Sequence, residues 1–161
     1  MQKLNATKKG LITGAAMIGL SLLFFYSGTP LNSSLQYLIY VIYTAGIVWA
    51  VYGFSKSDEN TNKFAAFFLQ AFKCFVVVTL LMVLFTFILN KLHPEFKAEA
   101  AKNYGDELVK TGNSTPTEIA ANIEKMKQYY LTMLISASIF GYLLFGAAIS
   151  AVVSLVFIKR K

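Results

Sequence analysis

YYLTMLISASIFGYLLFGAAISAVVSLVFI, residues 129–158, contains no charged side chain and no proline. With a helical rise of about 1.5 Å per residue, about 17–25 apolar residues span the roughly 30 Å hydrocarbon layer of a bilayer. Backbone polar groups meet no water there, so a segment of this length reads as a helix that closes its own hydrogen bonds. Outward from it, three further apolar stretches occupy 11–26, 35–54 and 74–89. The first and third lie at the short limit and gain length from flanking aromatics. The expected architecture is all-α, an integral membrane four-helix bundle with spans at about 10–26, 35–54, 67–90 and 129–158. The 161 residues are expected to form a single membrane domain.

Composition supports the same environment. Hydrophobic residues make up 56% of the chain and charged ones 14%, against about 25% charged in soluble domains. The formal net charge is +7, but the basic residues sit at span ends and not on a folded basic face with interleaved aromatics. Nucleic acid is therefore not an expected partner. With Cys74 alone, no intramolecular disulfide can form. Lys3, Lys8 and Lys9 precede the first span, and Lys159, Arg160 and Lys161 follow the last. The 27–34 connection carries no charge, 55–63 sets Lys56 and Lys63 against Asp58 and Glu59, and 90–128 is balanced between lysines and acids. Lys and Arg next to a span are retained in the cytosol, so both termini are expected there and 91–128 outside. Basic residues before a short apolar run also imitate a signal peptide, but Ser27-Gly28-Thr29-Pro30 reads as a turn, and the first span is expected to remain a helix.

The connections have their own patterns. Gly28, Pro30 and Asn32 mark one tight turn and Ser57-Asp58-Glu59-Asn60 another. Phe64, Phe68 and Phe72 repeat every four residues, so 64–73 reads as an amphipathic start to the third helix at the inner interface. Lys73 would snorkel from it and contact lipid. His93-Pro94-Glu95 opens a helix, and Phe96, Ala100, Tyr104 and Leu108 give it one apolar stripe. Phe96, Tyr104 and Leu108 are the expected partner surface. Thr111-Gly112-Asn113 ends that helix, and Thr115-Pro116-Thr117-Glu118 is a capping box that starts the next. Ile119, Ile123, Met126 and Tyr130 carry its stripe into the last span. Residues 91–128 are thus expected as an extracytoplasmic helical hairpin extending helices three and four.

Within the spans the polar inventory is small. Ser138, Tyr142, Gly146, Ser150 and Ser154 form a four-residue repeat, matched by Gly10 and Gly14 and by Gly46, Ala50 and Gly53. Small residues at such spacing let helix backbones approach closely in lipid. Tyr43 lies deep enough to need a hydroxyl partner, with Thr44 or a serine of the last span as the expected one. No span holds Asp or Glu, which argues against proton- or ion-coupled transport. His93 lacks metal-ligand spacing, and there is no His-Glu-x-x-His, glycine-rich phosphate loop or nucleophile elbow. No catalytic, cofactor-binding or metal-binding residue is expected.

The order of features resembles a family of small bacterial membrane proteins described as domain of unknown function 4199. Lys8-Lys9-Gly10-Leu11-Ile12, the segment FFLQAFKCF at 67–75 and Leu92-His93-Pro94-Glu95-Phe96 carry the resemblance, with the glycine- and serine-rich last span before Lys159-Arg160-Lys161. It implies a four-helix protein of the bacterial inner membrane, carries no catalytic residues to transfer and leaves the role open. The expected role is a non-enzymatic accessory or scaffold subunit that meets membrane lipid and binds another membrane protein or itself as a homo-oligomer. The alternative is a small transporter or flippase for a lipid-linked or amphipathic molecule, by analogy with other four-span basic proteins. That alternative requires an open groove beside Tyr43, Ser150 and Ser154, and a transport role for Lys73.

Overall fold

The computed structural model describes residues 5–28, 34–112 and 115–158; Lys3, Thr29, Pro30, Asn32, Asn113 and Lys159-Arg160-Lys161 lie outside the described residues. Among the described residues the chain forms five α-helices and no strand. They are α1 (Ala6–Tyr26), α2 (Tyr37–Ser55, preceded by a 3-10 turn), α3 (Phe64–Leu92), α4 (Glu95–Thr111) and α5 (Pro116–Ile158). All except α4 are long and apolar enough to cross a membrane.

Local chemistry sets the ends. Asn5 caps α1, its side-chain oxygen accepting the Lys8 N–H at 2.9 Å, so this helix begins upstream of the apolar run and takes Lys8 and Lys9 into its first turns. After α2, the Ser57 N–H reaches the Phe54 carbonyl at 2.9 Å. Asn60 Oδ1 then accepts the Asn62 N–H at 2.8 Å, and Asn62 adopts φ +54°, a conformation asparagine tolerates. Helix α4 ends at Gly112, φ +65°, whose N–H returns to the Val109 carbonyl. At the start of α5, Glu118 accepts the Thr115 N–H at 2.8 Å while Thr115 Oγ1 receives the Glu118 N–H at 3.4 Å, a reciprocal capping box. From Pro116 the helix runs unbroken to Ile158.

The chain divides into two compact units, one comprising Met1–Val83 with Ile139–Lys161 and the other Leu84–Ser138. In the first, neighbouring contacts fix direction. Thr13 meets Gly46 and Lys9 meets Gly53, so α1 and α2 run antiparallel. Gly10 meets Cys74 and Gly14 meets Leu81, so α1 and α3 run parallel. Tyr40 touches Phe145 and Tyr52 touches Phe157, so α2 and the end of α5 run parallel. Successive apolar helices of this unit therefore alternate in direction, around a core of Met17, Tyr43, Ile47, Val51, Phe67 and Val78.

In the second unit, α4 does not bury the stripe that its large apolar residues mark. Ala101 and Gly105 are buried, Phe96 and Leu108 are half-buried, and Tyr104 stays 37% exposed. A Cβ at Gly105 would lie 2.7 Å from Ile123 Cδ1. Small side chains permit this approach, and that decides which face packs. The Tyr130 hydroxyl donates to Asn90 Oδ1 at 3.0 Å in the same unit.

Candidate functional site

Lys9 belongs to the core. The sequence reading placed it before the first span among the flanking charges, but α1 starts earlier and takes it in, and it is only 6% exposed. Its ammonium donates to the Trp49 carbonyl at 3.0 Å and stands 5.4 Å from the centroid of the Trp49 ring. Gly53, one turn on from Trp49, makes room, since a Cβ there would occupy the space of Lys9 Nζ. The buried Cys74 thiol interacts electrostatically with Lys9 and lies 3.6 Å from the Gly46 carbonyl. No span supplies a carboxylate partner.

Magnitudes make this tolerable. A lysine at the centre of a membrane helix costs about 2.5–3.5 kcal/mol, and less near a helix end. A hydrogen bond to a charged group contributes about 1.5–3 kcal/mol, and a desolvated cation–π contact up to about 2 kcal/mol. These terms nearly offset one another, so a lysine can be held at this interior position.

Further along the same unit lies a layer of hydroxyls. The Tyr43 hydroxyl donates to the Tyr142 carbonyl of α5 at 2.9 Å, so its partner is a backbone oxygen and neither Thr44 nor a serine. Thr44 donates to the Tyr40 carbonyl of its own helix at 2.8 Å. Gly146 allows this arrangement by admitting the Tyr43 hydroxyl and the Phe75 ring against α5. One and two turns beyond Gly146, Ser150 and Ser154 are fully buried, and their hydroxyls have no hydrogen-bond partner among the described residues. The α2–α5 pairing of Tyr43 with Gly146 and of Tyr52 with Phe157 places Ser154 opposite 49–51.

The other sequence-marked residues are dispersed. Gly10 and Gly14 face α3, Gly46 faces Thr13, and Ala50 shares a buried cluster with Ala6 and Cys74. Lys73 is exposed on α3. His93 Nδ1 lies 2.6 Å from Glu95 Oε1. The Glu95 carboxyl is held below the usual carboxylate range, first by its own backbone N–H at the helix start and then by His93. Among the described residues no three His, Cys, Asp or Glu side chains gather to hold a metal ion.

Clefts open on the surface of the first unit along α2 and between α2 and α5. One, about 700 Å³, follows α2 past Tyr37, Tyr40, Thr44, Val48, Trp49 and Tyr52. The other, about 550 Å³, lies across Tyr40 and Phe145 along Gly141, Leu144 and Ala148. Neither is lined by Tyr43, Ser150 or Ser154, which are wholly buried. Neither cleft supplies the open groove that the transporter alternative requires beside those three.

Sequence reasoning missed Lys9. The signal was present, because an asparagine directly before a helical run is a start signal, and Asn5 places Lys9 inside the helix.

The family model described as Protein of unknown function (DUF4199) matches residues 8–159. Neither a curated protein nor a solved structure matches the chain.

Proposed function

The chain belongs to the DUF4199 family of proteins of unknown function, and on that premise we propose that it is a non-enzymatic accessory or scaffold subunit of a membrane assembly. In this reading it is a four-helix bundle of the bacterial inner membrane with cytoplasmic termini and an extracytoplasmic helical hairpin at 91–128. It binds another membrane protein or a second copy of itself.

The observation that carries the reading is the sparse cover on α5. Its buried residues are Gly146, Ser150 and Ser154, whereas Phe140 and Leu144 are 75% and 77% exposed. Nothing lies within 4 Å of a Cβ built at Gly141. A glycine on such an outward face lets a second helix approach closely, and dispersion and close packing drive association in lipid. Phe96, Tyr104 and Leu108 are proposed as a further partner surface, and Lys73 as a lipid contact.

Affinity isolation of the tagged protein in mild detergent tests this, alongside Gly141→Ile and Leu144→Ala. A stoichiometric membrane protein or second copy that is lost in both variants supports the role. A solitary monomer in native membranes contradicts it. The second reading, a carrier for a lipid-linked or amphipathic molecule, draws support from the α2 cleft alone and expects transport to fail in Lys73→Ala.

A further inference from the structure

Contacts between α1 and α3 bring Lys8 and Lys73 to one level of the first unit. A Cβ at Gly10 would lie 2.7 Å from the Cys74 carbonyl oxygen and 3.1 Å from Val77 Cβ, and the two helices run parallel. Lys8 shortly precedes Gly10 and Lys73 directly precedes Cys74, so the two lysines stand within about 3 Å of one another along the axis. Their sides agree as well. Lys9 and Thr13 turn towards α2, and Phe67 and Phe75 turn towards α5. At about 100° per residue, Lys8 and Lys73 then fall on the outer face of the α1–α3 pair, away from α2 and α5. Both are exposed.

This face has charge without a counter-charge. Among the described residues neither ammonium has a hydrogen bond or ion pair. Neither α1 nor α3 contains an acid, and the acids of the first unit, Asp58 and Glu59, follow the end of α2. Two like charges beside apolar surface repel, most strongly where water is scarce. The level is also that of a membrane surface. Lys8 lies in the first turn of α1, and its neighbour Lys9 meets Trp49. Trp49 and Tyr52 are both exposed on α2, as aromatic residues are where a span leaves the hydrocarbon. Lipid phosphates lie at that level.

We propose that Lys8 and Lys73 together hold the phosphate of one anionic phospholipid against the outer face of α1 and α3. Charge complementarity selects this occupant, because a phosphate is compact and its oxygens accept from both ammonium groups at once. The inference rests on the reading of Lys73 as a lipid contact and deepens it, and it is independent of what α5 binds. Each lysine near a membrane surface is worth about 1 kcal/mol towards anionic lipid, about fivefold in affinity. The pair therefore gives a preference of about thirtyfold over a zwitterionic lipid with the same chains.

Native mass spectrometry of the full chain in detergent tests this, with phosphatidylglycerol and phosphatidylcholine of matched acyl chains as the probes. One phosphatidylglycerol should bind with the preference given above. Lys8→Gln and Lys73→Gln should each lower that preference about fivefold, and the double variant should abolish it. Lys8→Arg with Lys73→Arg should keep it. Lys63→Gln, which removes the same charge from an exposed residue before α3, should leave it unchanged. Equal binding of the two lipids overturns the proposal, as does a preference that survives in the double variant. An equal loss in Lys63→Gln also overturns it, because the preference then follows total charge. Displacement of the lipid by inorganic phosphate at the same concentration overturns it in favour of a free anion. A solitary monomer that keeps the preference contradicts the scaffold role and supports the lipid site.

Discussion

At the residue scale the interior depends on pairs in which a glycine in one helix receives a polar side chain from another. Gly53 and Lys9 form one such pair, and the consequence is a coupling that single substitutions hide. Gly53→Ala forces the ammonium off the Trp49 carbonyl and should cost about 1–3 kcal/mol, as overpacking does. In a Lys9→Ala background the same change should cost almost nothing, so a double-mutant cycle in detergent unfolding should give a coupling of about 1 kcal/mol or more. Additive effects would place Lys9 outside the core. Ser154→Ala makes the opposite prediction. Its hydroxyl is buried without a partner, and removing an unsatisfied group should leave the melting temperature unchanged or raised. A clear loss of stability would mean that the hydroxyl is satisfied. The glycines were legible in the sequence as small residues at helical spacing, but the side chains they accommodate were not, because spacing within one helix carries no register between helices.

At the element scale, ends were more legible than faces. The capping box at Thr115 and Glu118 was readable because its partners are three residues apart, and the structure has both bonds. It also sets a pH dependence. The Glu118 carboxyl is held below the usual carboxylate range, first by the Thr115 N–H and then by the Thr115 hydroxyl. A depressed carboxyl contributes stability that is complete above the range of an unfolded glutamate and is lost as pH falls through its own lower value. The first turn of α5 should therefore begin to fray only below the ordinary carboxylate range. Hydrogen exchange at the first amides of α5 checks this, and Glu118→Gln should remove the acid-dependent part. Fraying already at neutral pH would contradict the cap. The face by which α4 packs within its unit was not legible, for a physical reason. Phe96 and Tyr104 mark hydrophobic surface, but Ala101 and Gly105 mark where a backbone can come close. Gly105→Leu should accordingly disrupt the second unit, lowering its protection from exchange, whereas Tyr104→Ala should leave it intact.

At the scale of the whole molecule, four apolar stretches among polar connections were enough to give a helical chain with four helices long and apolar enough to cross a membrane, because lipid leaves the backbone so few alternatives. The alternating directions of α1, α2, α3 and the end of α5 agree with four passages. Which side each connection faces is a separate inference from charge placement, and Lys9 no longer contributes to it as an exposed residue. The distribution still favours Lys56 and Lys63 inside. Cysteine accessibility tests this most directly, because Cys74 is fully buried and the native chain should give little background. With Thr111→Cys and Lys56→Cys made one at a time, intact cells with a permeable outer barrier are treated with a membrane-impermeant maleimide. Four passages with cytoplasmic termini predict that Thr111→Cys is labelled at once, and Lys56→Cys only after the inner membrane is opened. Labelling of Lys56→Cys in intact cells, with Thr111→Cys protected until lysis, would contradict the threading proposed here.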